Sequence, residues 1–178
     1  MPNSPLWFVR AGEGAIYAAD FRSSNSVGIG WIEVGPISAD TPDEEIDERF
    51  SKTYPDKEPR ARGVWANQVR RYLREIRVGD GVATYDPTER AYLLGQIDSD
   101  TEWKDGPLSR RRTVTWTHRV DRDALSRPRL QCVLARGTCS SLYVECEWKR
   151  HFLQPWQRRH RGSRFQCFRP NIRRSRND

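Results

Sequence analysis

Apolar positions in residues 63–86, GVWANQVRRYLREIRVGDGVATYD, follow two periods in succession. Trp65, Val69, Tyr72, Leu73 and Ile76 fall at offsets of 0, 4, 7, 8 and 11, one continuous stripe at helical spacing. Arg70, Arg71 and Arg74 lie on the opposite side and are expected to stay hydrated. Val78-Gly79-Asp80-Gly81 ends the helix, because glycine tolerates the backbone angles of a C-cap. Val82 to Tyr85 then reads as a strand closing on Asp86-Pro87. This helix, its Gly-Asp turn and the strand ending in Tyr-Asp are the unit around which the other elements are arranged.

Leu6-Trp7-Phe8-Val9-Arg10 is a β-rich run of the kind that opens a barrel, broken by the turn Ala11-Gly12-Glu13-Gly14. Residues 16–21 suggest a short helical turn and 23–26 a polar loop. Val27-Gly28-Ile29-Gly30-Trp31 reads as a strand whose glycines let another backbone, or a ligand, come close. Residues 38–50 have the pattern of a capped surface helix. Asp40 or Thr41 caps it, Pro42 suits its first turn, and Asp43, Glu44 and Glu45 favour its positive end. Ile46 and Phe50 give that helix a narrow inward face. Residues 55–59 read as a linker, 92–97 as a strand, 98–107 as an acidic loop and 110–120 as another strand. A short helix is expected at 121–125 and a last short element at 130–134. Trp7 and Trp116 are read as core.

Composition sharpens the division of the chain. Its 178 residues are 36% hydrophobic and 31% charged, which suits one soluble domain, residues 1–138, and an appendage, 139–178. No apolar run approaches the ~18 residues a membrane span needs, so a cytoplasmic location is expected. The net charge of +7 is not spread evenly: residues 1–139 hold 21 basic and 21 acidic side chains, residues 140–178 hold 10 and 3. The basic pI therefore says nothing of the body, and any nucleic-acid reading must rest on local patches. In the tail neither a period of 2 nor one of 3.6 survives. Two readings stay open there: a basic arm that binds phosphates without sequence preference, or a truncated or frameshifted end never selected to pack. Either way the tail is expected to be disordered or non-native.

Candidate chemistry is thin. Cys132, Cys139, Cys146 and Cys167 form no CxxC pair or zinc-ligand spacing, so reduced thiols and no metal are expected. Glu147-Trp148-Lys149, with Asp121 and Asp123 upstream, has the letters of a metal-dependent nuclease core but not the buried α/β setting such a core needs. His118, His151 and His160 join no catalytic arrangement, and Gly12-Glu13-Gly14 lacks the rest of a phosphate-binding loop. No catalytic residue and no cofactor is assigned.

WFVRAGEG near the start, IGW at 29–31, NQVRRYLREIRVGDGVATYDP at 67–87 and LLGQI at 93–97 occur in an order that resembles an EVE/YTH-type member of the PUA-like superfamily. More narrowly, the chain is similar to the N-terminal sensor of Mrr-like, modification-dependent restriction endonucleases, over roughly residues 6–135. That resemblance implies an α+β fold, a curved antiparallel β-barrel flanked by helices, with a pocket for a flipped-out modified base. It also implies double-stranded DNA carrying such a base as the partner, and a role in restriction-modification with the nuclease domain elsewhere. In EVE-type relatives the segment GVRNYQARNFLR precedes the Gly-Asp turn. Gly63, Val64, Gln68, Arg70, Leu73 and Arg74 match it, whereas Trp65 and Ala66 stand where that pattern has Arg-Asn. The pocket hydrogen bond of that Asn would pass to Asn67 only if Asn67 turns inward.

The residues themselves suit such a task. A flipped base needs flat apolar walls and a few polar groups for its edge, and a base methyl adds an apolar contact that an aromatic cage rewards. Gly30, Trp31, Trp65, Asn67, Tyr85 and Asp86 are the expected base pocket, with Arg10, Arg70, Arg71 and Arg74 expected on phosphates. Each has a plainer alternative: core packing for Trp65, barrel packing for Tyr85, solvated helix charge for the arginines. At the level of the whole protein the alternatives are an RNA-binding PUA-like protein, a domain for a free nucleobase or metabolite, and a remnant of a larger gene.

Overall fold

Alternation along Leu6-Trp7-Phe8-Val9 produces strand β1 (Leu6–Val9), which sends Trp7 and Val9 into the main core and Phe8 to the other face, its ring 6.5 Å from that of Tyr92. A computed structural model describes residues 5–124 and the backbone of residues 139–142. After β1 come α1 (Ala18–Ser23), β2 (Ser26–Ile29), α2 (Asp43–Thr53), α3 (Pro59–Arg74), β3 (Gly81–Asp86), β4 (Ala91–Ile97), β5 (Glu102–Trp103), β6 (Arg110–Asp121) and β7 (Cys139–Leu142). Short 3-10 turns lie at Glu13–Ala15, Ile32–Val34 and Arg122–Ala124. The fold is α+β.

The strands join in the order β2-β6-β4-β3-β1-β7, with β5 pairing onto β6 off that path. The six on the path make a strongly curled, mixed sheet, a half-barrel. The expected barrel is corrected in two respects. β1 runs parallel to β3, Trp7 opposite Val82, whereas the other pairs are antiparallel. Parallel neighbours need a long crossover, and here the chain between them carries three helices and β2. Among the described residues the sheet is also open: β2 and β7 end the path and do not pair with each other.

Other expectations shift by a few residues. α3 begins at Pro59, so the stretch read as a linker ends in helix, with proline at a first-turn position that lacks an intrahelical acceptor. Neither Asp40 nor Thr41 caps α2; the cap position is Pro42, and the Thr41 hydroxyl accepts the Ser38 backbone N–H at 3.1 Å. The loop 98–107 contains β5. The element expected at 130–134 and the tail from residue 143 onward lie outside the described residues, while β7 pairs antiparallel with β1, Val9 opposite Cys139.

The stripe on α3 packs as its spacing requires. Val69 and Tyr72 are fully buried, Leu73 and Ile76 nearly so, and the Tyr72 hydroxyl donates to the Val27 carbonyl at 3.0 Å. Arg112 of β6, also buried, donates to the carbonyls of Tyr72 and Leu73 and so satisfies the free C-terminal end of α3. Asp80, in the turn after α3, accepts the Trp7 indole N–H and the Arg77 backbone N–H, each at 2.9 Å, which ties the turn to β1.

Candidate functional site

β2 ends at Ile29, and the next six residues fold around one buried cation. The Arg110 guanidinium donates to the carbonyls of Gly30 at 2.9 Å, Trp31 at 3.2 Å and Gly35 at 2.6 Å. Arg110 is 1% exposed, and the Trp103 ring lies 5.0 Å from its guanidinium. Burial pushes its pKa down to about 10, which still leaves it charged at neutral pH. The glycines before Trp31 are required by the chain itself. A Cβ at Gly28 would lie 3.0 Å from the Arg110 carbonyl oxygen, and one at Gly30 would lie 3.1 Å from that of Pro107. They admit the neighbouring backbone.

Trp31 adopts the left-handed conformation, φ 63° and ψ 48°. For a bulky side chain that costs about 1–2 kcal/mol, which the hydrogen bonds from Arg110 offset. The strain carries the indole to a corner with α2 and α3. Its ring is 6.1 Å from Phe50, edge-on, and 6.5 Å from Trp65 at 37°. Tyr54 completes the corner, 5.3 Å from Trp65 and 6.0 Å from Phe50. Phe50 is fully buried, whereas Trp31, Trp65 and Tyr54 stay half-buried. The two indoles do not admit a third ring between them as they stand, since two contacts of about 3.5 Å need about 7 Å of separation. A flat ligand would stack on their exposed parts or widen the wedge.

One polar pair borders this corner. The Tyr54 hydroxyl donates to Glu33 Oε2 at 2.8 Å. Burial, and then the hydrogen bond and charge of Glu33, push the Tyr54 phenol up to about 12.

Of the expected pocket residues, the structure thus brings together Gly30, Trp31 and Trp65. Tyr85 is elsewhere: its ring lies 4.9 Å from that of Tyr92, tilted at 45°, and beneath the Arg122 guanidinium at 5.9 Å. Asp86, the next residue of a strand, points to the opposite face from Tyr85. Its buried carboxylate accepts the backbone N–H groups of Thr88 and Glu89 at 3.0 and 3.2 Å and faces Arg22 at 3.4 Å. Those contacts build the β3–β4 turn. Asn67 is exposed on α3 between the buried Ala66 and Gln68, so it does not turn inward.

Three of the four arginines expected on phosphates have protein partners. Arg70 pairs with Asp47 at 2.6 Å and Asp43 at 3.3 Å. Arg74 donates to Asp43 at 2.6 Å, to the Ala39 carbonyl at 2.8 Å and to the Thr41 carbonyl at 2.5 Å. Together they strap the start of α2 to α3. Arg71 pairs with Glu75 at 3.3 Å and covers the Trp7 ring at 5.5 Å. Arg10 is exposed at the end of β1, without an ion-pair partner among the described residues. Glu147, Trp148 and Lys149 lie outside the described residues. Among those described, no group of three or more His, Cys, Asp or Glu is placed to hold a metal ion, and no helix is long and apolar enough to cross a membrane.

Sequence reasoning missed Tyr54, Glu33 and Arg110. Tyr54 closes α2 just before a stretch that looked like linker, and Arg110 opens an arginine triplet that looked like a wet strand end. The only available signal was that Ile46 and Phe50 aim the end of α2 inward, which places Tyr54, four residues further on, along the same stripe.

Comparison with curated proteins and with solved structures found no match. Residues 7–143, which span β1 through β7 and the whole aromatic corner, match the model of a family described as a domain of unknown function, DUF8426. The chain belongs to the DUF8426 family.

Proposed function

We propose that residues 1–138 form a PUA-like sensor of the EVE/YTH kind that binds DNA carrying a modified base, taking the flipped-out base against Trp31, Trp65 and Tyr54. In this reading it is the recognition part of an Mrr-like, modification-dependent restriction system. The observation that carries the proposal is the strained Trp31: an indole held in a left-handed conformation by a buried arginine, yet left partly open to solvent beside a second indole. A residue wanted only for packing gains nothing from that strain, whereas a stacking wall for a heterocycle must be both rigid and exposed. The curled half-barrel and the order of its motifs support the resemblance to PUA-like domains. Tyr85, Asp86 and Asn67 leave the pocket in this reading, and Tyr54 enters it. Arg10 is the remaining candidate for phosphate contact, since Arg70 and Arg74 already hold α2.

The test is a titration of duplexes with and without a single methylated base at fixed salt. Tighter binding of the methylated duplex, lost in Trp31→Ala while the fold persists, is the expected result. Equal affinities that fall together as salt rises would leave only phosphate attraction and end the proposal. Preference for an RNA strand bearing the same base would move the partner to RNA.

A further inference from the structure

The aromatic corner supplies walls but no selectivity, because every base has two flat faces. Selectivity needs a polar group held at the border of those walls, and the two expected for it, Asp86 and Asn67, are engaged in a turn or face solvent on α3. Glu33 is an acidic group that the corner does hold, beside Arg62, which donates to the Tyr54 carbonyl at 3.4 Å. It lies two residues after Trp31, in the 3-10 turn Ile32–Val34, inside the loop whose carbonyls at Gly30, Trp31 and Gly35 are gripped by Arg110. Its Oε2 receives the hydroxyl of Tyr54, a corner residue in edge contact with Trp65. Its Oε1 has no hydrogen-bond or ion-pair partner among the described residues, and neighbouring Arg49 turns to Glu45 and to the Pro36 carbonyl instead. The result is one anchored carboxylate oxygen and one open one, at a fixed place beside the stacking rings.

We infer that Glu33, anchored by Tyr54, is the specificity-determining residue of this site and selects a base that carries an amino group, as cytosine does at N4 and adenine at N6, where thymine and guanine carry a carbonyl. A carboxylate only accepts hydrogen bonds. Glu33 is itself exposed, so the contact forms at the rim of the corner. There it rewards the N4 amino group of a cytosine and opposes the O4 carbonyl of thymine, where two acceptors would meet. The inference rests on the reading of the corner as a base-binding site and adds the class of base.

The experiment uses the full chain and a short DNA duplex with one mismatched, easily flipped position. That position holds in turn 5-methylcytosine, thymine or no base. The first two carry the same 5-methyl group, and the position-4 group turns from donor to acceptor between them. The protein is expected to prefer 5-methylcytosine to thymine by about tenfold, the discrimination one well-placed polar contact supplies. Glu33→Gln keeps an acceptor for Tyr54 and adds an N–H donor, so the preference should fall to within about twofold, chiefly by gain on thymine. Thermal unfolding of the variant confirms that it folds. A preference unchanged in Glu33→Gln, or absent from the native chain, overturns the role of Glu33. If Trp31→Ala still weakens binding to the base-bearing duplexes in that case, the aromatic site survives without this edge reader. If Trp31→Ala has no effect and the abasic duplex binds equally well, the base-binding reading and the role of Glu33 fall together.

Discussion

Arg110 and Trp31, 79 residues apart in sequence, meet where the buried guanidinium donates to the indole residue's carbonyl at 3.2 Å. The same guanidinium bonds the carbonyls on either side of the loop, at Gly30 and Gly35, so one side chain determines the path of six residues. Carbonyl oxygens buried without a donor are costly, and an arginine fork meets several at once with little reorganisation. This is how a strand that begins at Arg110 fixes a loop that follows β2, its antiparallel neighbour.

Replacement of Arg110 by methionine should therefore lower stability by about 3 kcal/mol or more, since three carbonyls lose their donor. Arg110→Lys should recover only part of it, because an ammonium does not span three acceptors in fork geometry. Denaturant unfolding measures both. A loss below about 1 kcal/mol for methionine would mean that the loop holds its shape without the cation.

The pairing of Trp7 with Asp80 offers a second measurement. Asp80 is 7% exposed and satisfies both the indole N–H and the turn at Arg77. Asp80→Ala leaves the Trp7 donor buried and unpaired and should cost about 2–4 kcal/mol. A double-mutant cycle with Trp7→Phe should return a coupling of about 1–3 kcal/mol. Coupling near zero would show that the two groups contribute independently.

That pair also shows which parts of the fold were legible. The Gly-Asp turn was visible because glycine and a helix-ending pattern are local signals, and Gly79 does adopt φ 92°. The partner of Asp80 was not visible, because nothing near Asp80 in sequence points to Trp7. The same holds at the site. Trp31 and Trp65 stood out as aromatics beside glycine and on a helical stripe, and they do meet. Tyr85 stood out equally, but the face it occupies depends on sheet register and curl, which the pattern of one strand does not contain. Arginines were hardest. Arg70, Arg74, Arg110 and Arg112 all carry the same charge, and only long-range packing decides which meet acids and which meet carbonyls.

Two glycines separate local propensity from tertiary approach. A Cβ at Gly95, opposite the bulge that Thr117 makes in β6, would lie 2.5 Å from the Thr115 carbonyl oxygen and 2.7 Å from Val114. Gly95→Ala should thus destabilise by about 2–3 kcal/mol, through forced separation of β4 from β6. Gly63, in α3, has nothing within 4 Å of its would-be Cβ. Gly63→Ala should raise stability by up to about 1 kcal/mol, through helix propensity and a less flexible unfolded chain. Thermal unfolding of the two variants compares them directly, and shifts of the same sign would contradict the packing around one of them.

Ionisation of Tyr54 tests the corner without any ligand. Its phenol is pushed from 10 up to about 12, first by burial and then by the hydrogen bond and charge of Glu33. A folded-state pKa raised above the unfolded one means that the native protein holds its proton longer. The stabilisation this represents is complete below pH 10 and is lost as pH rises through about 12. Phenolate absorbance should show a step near 12 that is absent from Tyr54→Phe. In Glu33→Gln the step should move part of the way back toward 10, since burial remains while the carboxylate's charge is gone. A Tyr54 step already at its ordinary position in the native chain would mean that hydroxyl and carboxylate do not meet in solution, and the anchor of Glu33 would be lost with it.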